Sequence, residues 1–241
     1  LRIHQSSKGP EATLILNYTS TAVTETAGQK SFELASGKEV ALPDNLIYGP
    51  KAIKNFNDGT EDLVIQDQNH VLYLINSAGE QVYSHPLTSP VVSEAIQIDY
   101  FKNGKLQLLV ATADKMYAID RLGDPLPGFP LALPGEKITH LSLLDYDNNK
   151  EYRYFLATES GNLWLLDKLG KQLEGWSPLK LGEKTKSTPF HARVQGKGDF
   201  LVVLGASGKL YLFNRKGEPQ AGSPVVLPAG IASPLQVKKN G

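Results

Sequence analysis

Asn162-Leu-Trp-Leu-Leu-Asp-Lys-Leu-Gly170 is the stretch that decides the fold. Its apolar run, Leu163 to Leu166, stops at a turn signature, Asp167 followed three places later by Gly170. The Asp side chain accepts bonds from backbone amides two residues on, and Gly takes a positive φ without a Cβ clash. A strand running into a tight hairpin turn is therefore predicted. The same phrase returns as His70-Val-Leu-Tyr-Leu-Ile-Asn-Ser-Ala-Gly79, Lys115-Met-Tyr-Ala-Ile-Asp-Arg-Leu-Gly123 and Lys209-Leu-Tyr-Leu-Phe-Asn-Arg-Lys-Gly217. The four glycines lie 44, 47 and 47 residues apart, and a fainter copy ends at Gly37, 42 residues before Gly79. Asn76, Asp120, Asp167 and Asn214 hold the turn-opening position.

Working outward, each phrase is preceded by a β-branched or Leu-rich run: Leu63-Val-Ile, Leu108-Leu-Val-Ala-Thr, Tyr154-Phe-Leu-Ala-Thr and Phe200-Leu-Val-Val-Leu. Ahead of these lies another strand candidate, Ala95–Asp99, His140–Leu144 or Phe190–Val194. Behind each glycine comes a shorter stretch, often with Pro, which suits an outer edge where no backbone donor is missed. That makes four short strands per repeat, with no long stretch of 3.6-residue period. A lone four-stranded sheet leaves apolar faces open, and stacking equivalent sheets around an axis covers them. The expected fold class is all-β: a β-propeller of four-stranded blades, read as one domain over 1–241.

Full repeats run at about 46–90, 91–135, 137–183 and 185–229. The stretch 12–44 is short and shows no leading strand, while 231–238 resembles a leading strand with no followers. Together they would complete a fifth blade and close the ring. The other reading is a slice of a larger ring of six to eight blades. The chain opens on Leu1 rather than Met, so trimming from something longer is expected.

Composition narrows the function classes. Across 241 residues, 25 Lys+Arg balance 25 Asp+Glu. A neutral chain lacks the basic face that neutralises phosphates, so no nucleic-acid partner is expected. With no Cys there is no disulfide, thiolate zinc site or Cys nucleophile. No apolar run is long enough for a helical membrane span.

Catalytic and cofactor signatures are missing too. No Gly-x-Ser-x-Gly elbow, dinucleotide fingerprint or Walker motif occurs. The expectation is a non-enzyme without cofactor. Asp145-Tyr-Asp-Asn-Asn149, Asp99-Tyr-Phe-Lys-Asn-Gly104 and Asn55-Phe-Asn-Asp-Gly59 fall between first and second strands. Calcium needs six or more oxygens, several of them carboxylate. These loops resemble the calcium loops of FG-GAP-type propellers, and by that resemblance Phe101 and Arg153 stand where ligands would. Asp145 and Asp147 therefore form the only loop to test for a metal, against an expectation of none. Trp176 and Phe129 occupy matching places after the glycine, as expected of wedges between sheets. Tyr73, Tyr117, Trp164 and Tyr211 share one register of the third strand. His140 and His191 fall at neighbouring positions on inner strands, where both could face a central channel.

With those phrases in hand, the chain resembles quinoprotein-type (PQQ-like) repeats through Leu-Tyr-Leu-Ile-Asn-Ser-Ala-Gly79 and Lys209-Leu-Tyr-Leu-Phe-Asn-Arg-Lys-Gly217. It is similar to FG-GAP/VCBS-type repeats through Gly-x-x-Leu-x-Gly-Phe-Pro at 123–130 and Gly-x-x-Leu-x-Gly-Trp-x-Pro at 170–178. It also looks like a set of bacterial envelope proteins that carry a propeller, through Ile119-Asp-Arg-Leu-Gly, Asp145-Tyr-Asp and Gly-Trp176. The likeness covers roughly 46–229. It implies a propeller and, by location, the bacterial cell envelope, periplasmic or outer-membrane associated. Departures matter: the FG-GAP calcium ligands are incomplete, and the Trp-docking pattern of quinoprotein enzymes is kept in one blade.

The expected function is non-catalytic protein binding or scaffolding. Its face would be built from the loops joining strand four to the next blade and strands two to three. The residues named for that face are Asp67, Asn69, His70, Asp114, Lys115, Glu136, Lys137, Glu159, Asn162, Lys184 and Lys186. The mixed charge suits a polar protein partner. The alternative is a ligand-binding or catalytic propeller, a lectin or a quinone-dependent dehydrogenase.

Overall fold

The structure, a computed structural model, describes residues 44–176 and 178–227, and the backbone of 2–5, 12–16 and 38–42. Two compact units emerge, Leu1–Leu87 and Thr88–Gly241. No helix occurs among the described residues.

The first unit holds two antiparallel sheets in chain order. One is β1 (Arg2–Gln5), β2 (Ala12–Leu16) and β3 (Lys38–Leu42). The other is β4 (Leu46–Lys54), β5 (Glu61–Asp67), β6 (Val71–Ile75) and β7 (Gln81–Pro86). The sequence showed no leading strand before residue 12, yet Arg2–Gln5 pairs with Ala12–Leu16. Four residues are too few for an alternating pattern to register. The proposed closing strand at 231–238 lies outside the described residues.

The second unit repeats the plan three times. β8 (Ile96–Ile98), β9 (Gln107–Ala111) and β10 (Met116–Ile119) form one sheet. β11 (Ile138–Leu144), β12 (Arg153–Thr158), β13 (Asn162–Asp167) and β14 (Leu179–Lys180) form the next. The last is β15 (Phe190–Val194), β16 (Gly198–Leu204), β17 (Lys209–Phe213) and β18 (Val225–Val226). Each is a simple antiparallel meander. The fourth strand expected after β10 shrinks to isolated bridges, Ile119 with Pro125 and Met116 with Leu131. Pro125, Pro127, Pro130 and Pro134 offer no N–H to a ladder, so a continuous strand cannot form there.

The core shows why the phrase repeats. Tyr154, Leu156, Trp164 and Leu166 pack with Ile98, Leu109, Ala111, Met116 and Ala118 of the preceding sheet. Phe155, Ala157, Leu163 and Leu165 pack with Leu201, Val203 and Phe213 of the following one. Alternate residues thus bury both faces of β12 and β13, which is why these two strands read as near-continuous apolar runs. Each fully buried large side chain adds roughly 1.5–3 kcal/mol.

Candidate interaction surface

A meander has two ends. Loops between strands one and two, and between three and four, lie at one; turns between two and three, and connections to the next sheet, lie at the other. The second end is the face expected from sequence.

Built from its residues, that end is a series of clamps. Asp44, just before β4, accepts from Asn69 Nδ2 (2.6 Å) and from Gln68 Nε2. Glu136, just before β11, accepts from Ser160 Oγ and Asn162 Nδ2. Glu183, between β14 and β15, accepts from Ser207 N (2.6 Å), Ser207 Oγ (2.7 Å) and the Tyr211 hydroxyl (2.7 Å). At β8–β10 the polarity is reversed: Ser89 Oγ donates to Asp114 Oδ1 at 2.7 Å, and the Tyr117 hydroxyl pairs with Thr88. In each case the connection entering a sheet grips that sheet's own second turn. Burial works against ionisation of Glu136 and Glu183, but the donors outweigh it and hold both carboxyls below the usual range. The Tyr211 hydroxyl is pushed up to about 12, by burial first and then by its bond to Glu183. Gly205 leaves the room this needs, since a Cβ there would come within 2.5 Å of the Glu183 carboxylate.

Several residues named for the face are therefore part of its scaffolding. Asp67 is 1% exposed, and its carboxylate accepts from Asn69 N, Val71 N and Tyr73 Oη; it is withdrawn from the face. Asn69, Asp114, Glu136 and Asn162 sit at the surface but are spent on clamps. His70 holds the left-handed turn position at φ 64°, and its carbonyl accepts from Leu87 N (2.9 Å). Lys115 is half-buried, its amide bonded to Thr112 Oγ1. Lys184 pairs with Glu159 at 3.2 Å, both exposed. Lys137 and Lys186 are exposed as well. In the second unit the exposed charged side chains at this end include Lys137, Lys184, Lys186, Glu159 and Asp114.

The clamp was missed, though a signal existed. Asp44, Glu136 and Glu183 each stand 34 or 35 residues before a repeat glycine. Ser89 holds that place in the fourth copy, so the acid did not recur cleanly.

At the opposite end the loop at Asp145 shows no converging carboxylates. Asp145 accepts from the amides of Asn149 (3.0 Å) and Lys150 (2.9 Å), capping its own turn. Asp147 accepts instead from Arg193 Nη2 (3.0 Å) and Arg215 Nη2 (3.2 Å). Asp99, in the loop after β8, receives Lys150 from the next sheet. Cationic side chains thus stand where a metal would need further oxygens, and no group of three His, Cys, Asp or Glu converges among the described residues.

His140 and His191 have different hydrogen-bond partners. His140 Nδ1 lies 3.0 Å from Thr185 Oγ1, and burial lowers its pKa. His191 Nε2 lies 2.7 Å from Asp199 Oδ1. Trp176 is fully buried between Phe155 and Phe213, edge to face at 5.2 and 5.7 Å, and its Nε1 donates to the Arg215 carbonyl at 2.9 Å. Phe129 packs likewise between Tyr100 and Tyr154. Both are wedges between sheets. This end also exposes Phe101, Leu122 and Leu169, at 52%, 79% and 76%.

No family model matches the chain. No curated protein sequence matches it either. Solved structures do. BBS1N in complex with ARL6DN is 23% identical with a TM-score of 0.55, covering 77% of this chain and 56% of that one. BamB from Moraxella catarrhalis is 15% identical, TM-score 0.52, covering 88% of this chain and 57% of that one. The dihydro-heme d1 dehydrogenase NirN in complex with DHE is 17% identical, TM-score 0.55, covering 78% and 39%. The chain thus spans between about two fifths and three fifths of their lengths. These are β-propeller proteins, and the fold of this chain is a β-propeller.

Proposed function

We propose that this chain is a non-catalytic protein-binding propeller, a scaffolding part of a bacterial envelope protein or complex. The observation that carries the reading is the clamped end of the sheets. Carboxylates and amides there fix the turns, and lysines at 137, 184 and 186 project from them. Loops held rigid by a scaffold, with mixed charge at their tips, form the kind of surface that recognises a polar protein face. Among the similar folds, BBS1N was solved with a protein partner, ARL6DN, and BamB comes from a bacterium, Moraxella catarrhalis. The envelope location rests on the resemblance of the repeat phrases.

Cross-linking of the full-length protein in its native host, through lysine-reactive reagents, tests this. The expected result is a reproducible partner joined through Lys137, Lys184 or Lys186, lost when all three are changed to Glu. Capture that ignores the triple change would place recognition elsewhere.

The likeness to NirN favours a second reading, a propeller that binds a small ligand. A thermal-shift screen with calcium, pyrroloquinoline quinone and glycans decides it: a rise of several degrees with any of them would support that reading over scaffolding.

A further inference from the structure

At the other end of the second unit, two arginines converge on a single exposed carboxylate. Arg193, on β15, and Arg215, in the turn after β17, each bring Nη2 to Asp147 Oδ1, at 3.0 and 3.2 Å. Their Nε sides face inward to Asp199, at 2.8 Å from Oδ1 for Arg193 and 2.6 Å from Oδ2 for Arg215. Asp199 is well covered, its side chain 14% exposed, and His191 Nε2 lies 2.7 Å from the same oxygen as Arg193. The Arg215 guanidinium lies over the Tyr146 ring, 4.2 Å from its centroid. One carboxylate is thus an inner anchor that orients both forks, while the other caps their outward ends.

The two carboxylates are not equivalent. Asp147 sits on the loop between β11 and β12, its side chain 56% exposed. Solvent screens exposed ion pairs of this kind, so the cap exchanges at little cost. Asp199 holds its place through three partners on one side of the cluster. Fixing two guanidiniums in advance removes much of the ordering cost of binding an anion.

We propose that Arg193 and Arg215 form a docking site for an acidic side chain of a partner protein, with Asp147 as the internal occupant that such a side chain displaces. Carboxylate is the chemistry already seated there. Arg193 gives Nε to Asp199 Oδ1 and a longer Nη2 bond to Oδ2 at 3.4 Å. Arg215 Nε faces Asp199 Oδ2 as an ion pair without a hydrogen bond, so the Nη2 groups of both converge on a single carboxylate oxygen, Asp147 Oδ1. The site is separate from the lysine-bearing face and does not depend on it.

The test titrates the full chain at low ionic strength with a capped hexaglutamate peptide, followed by calorimetry. Hexaglutamine and inorganic phosphate serve as controls. Weak binding to the native chain is expected, tightened roughly fivefold by Asp147→Asn, since that change removes an exposed, solvent-screened competitor. Arg193→Gln alone should weaken it, and Arg193→Gln with Arg215→Gln should abolish it. Changing Lys137, Lys184 and Lys186 to Glu should leave it intact, which separates this site from the proposed face. Absence of binding to both the native chain and Asp147→Asn overturns the proposal, as does phosphate binding as tightly as the peptide. A fall in thermal midpoint in Asp147→Asn without any gain in affinity would make the cluster a structural clamp only.

Discussion

The two ends of the β11–β14 and β15–β18 pair are tied by different chemistry. At one end Glu183 holds the turn between β16 and β17 through neutral donors, Ser207 and Tyr211. At the other, Trp176 wedges under the turn after β17, and Arg193 and Arg215 bind Asp147 and Asp199. The polar end fixes loop geometry; the aromatic end carries the packing energy. Neutral-donor bonds hold as salt is added, whereas exposed arginine pairs are screened. One repeat phrase therefore carries two kinds of joint.

The comparison breaks most visibly at the aromatic end. Trp176→Ala empties a fully buried site and should cost about 3–5 kcal/mol, read as a large drop in urea midpoint. Gly175→Ala should be of similar severity. Gly175 has φ +83°, and a Cβ would stand 1.9 Å from the Lys216 carbonyl, which is backbone and cannot swing away. At the polar end, Glu183→Gln keeps the shape but loses charge-assisted bonds, and about 1–2 kcal/mol is expected, with little salt dependence.

A smaller effect sharpens the contrast through pH. Burial pushes the Asp199 carboxyl up, but bonds from Arg193 and His191 and the charge of Arg215 outweigh it and bring it down to about 2. A folded pKa below the unfolded value of 3.8 gives stability that is fully present above about pH 4 and lost as pH falls toward 2. After solvent screening about 1 kcal/mol is expected, and Asp199→Asn should flatten that part of the acid unfolding profile. Smallest of all, Leu122→Lys and Leu169→Lys should change stability by no more than about 0.5 kcal/mol, because both side chains stand largely in solvent.

Much of the fold was legible because the governing signal is local. Asn76, Asp120, Asp167 and Asn214 accept from turn amides as their spacing to Gly predicts, for example Asp167 Oδ1 from Leu169 N and Lys171 N. The wedge positions of Phe129 and Trp176 were readable from their shared place after the glycine. The surface was harder. Asp67 reads as a solvent-facing turn residue, yet it is buried on Tyr73, because a polar residue closing a strand can serve either side. Asp145 and Asp147 are neighbours in sequence but serve different partners, one its own turn and the other two arginines from the next sheet.

The sequence by itself determined the repeat, the strand positions, the turn chemistry and the aromatic wedges, since each depends on residues within a few places of one another. Only the tertiary structure decided which carboxylate meets which cation or hydroxyl. Glu183 finds Ser207 24 residues away, and Arg215 finds Asp147 at 68. The Arg215 pairing is set by how successive sheets stack and leaves no period in the chain. The Glu183 clamp, by contrast, lies within one repeat and leaves a partial period, an acid 34 or 35 residues before the repeat glycine in three copies.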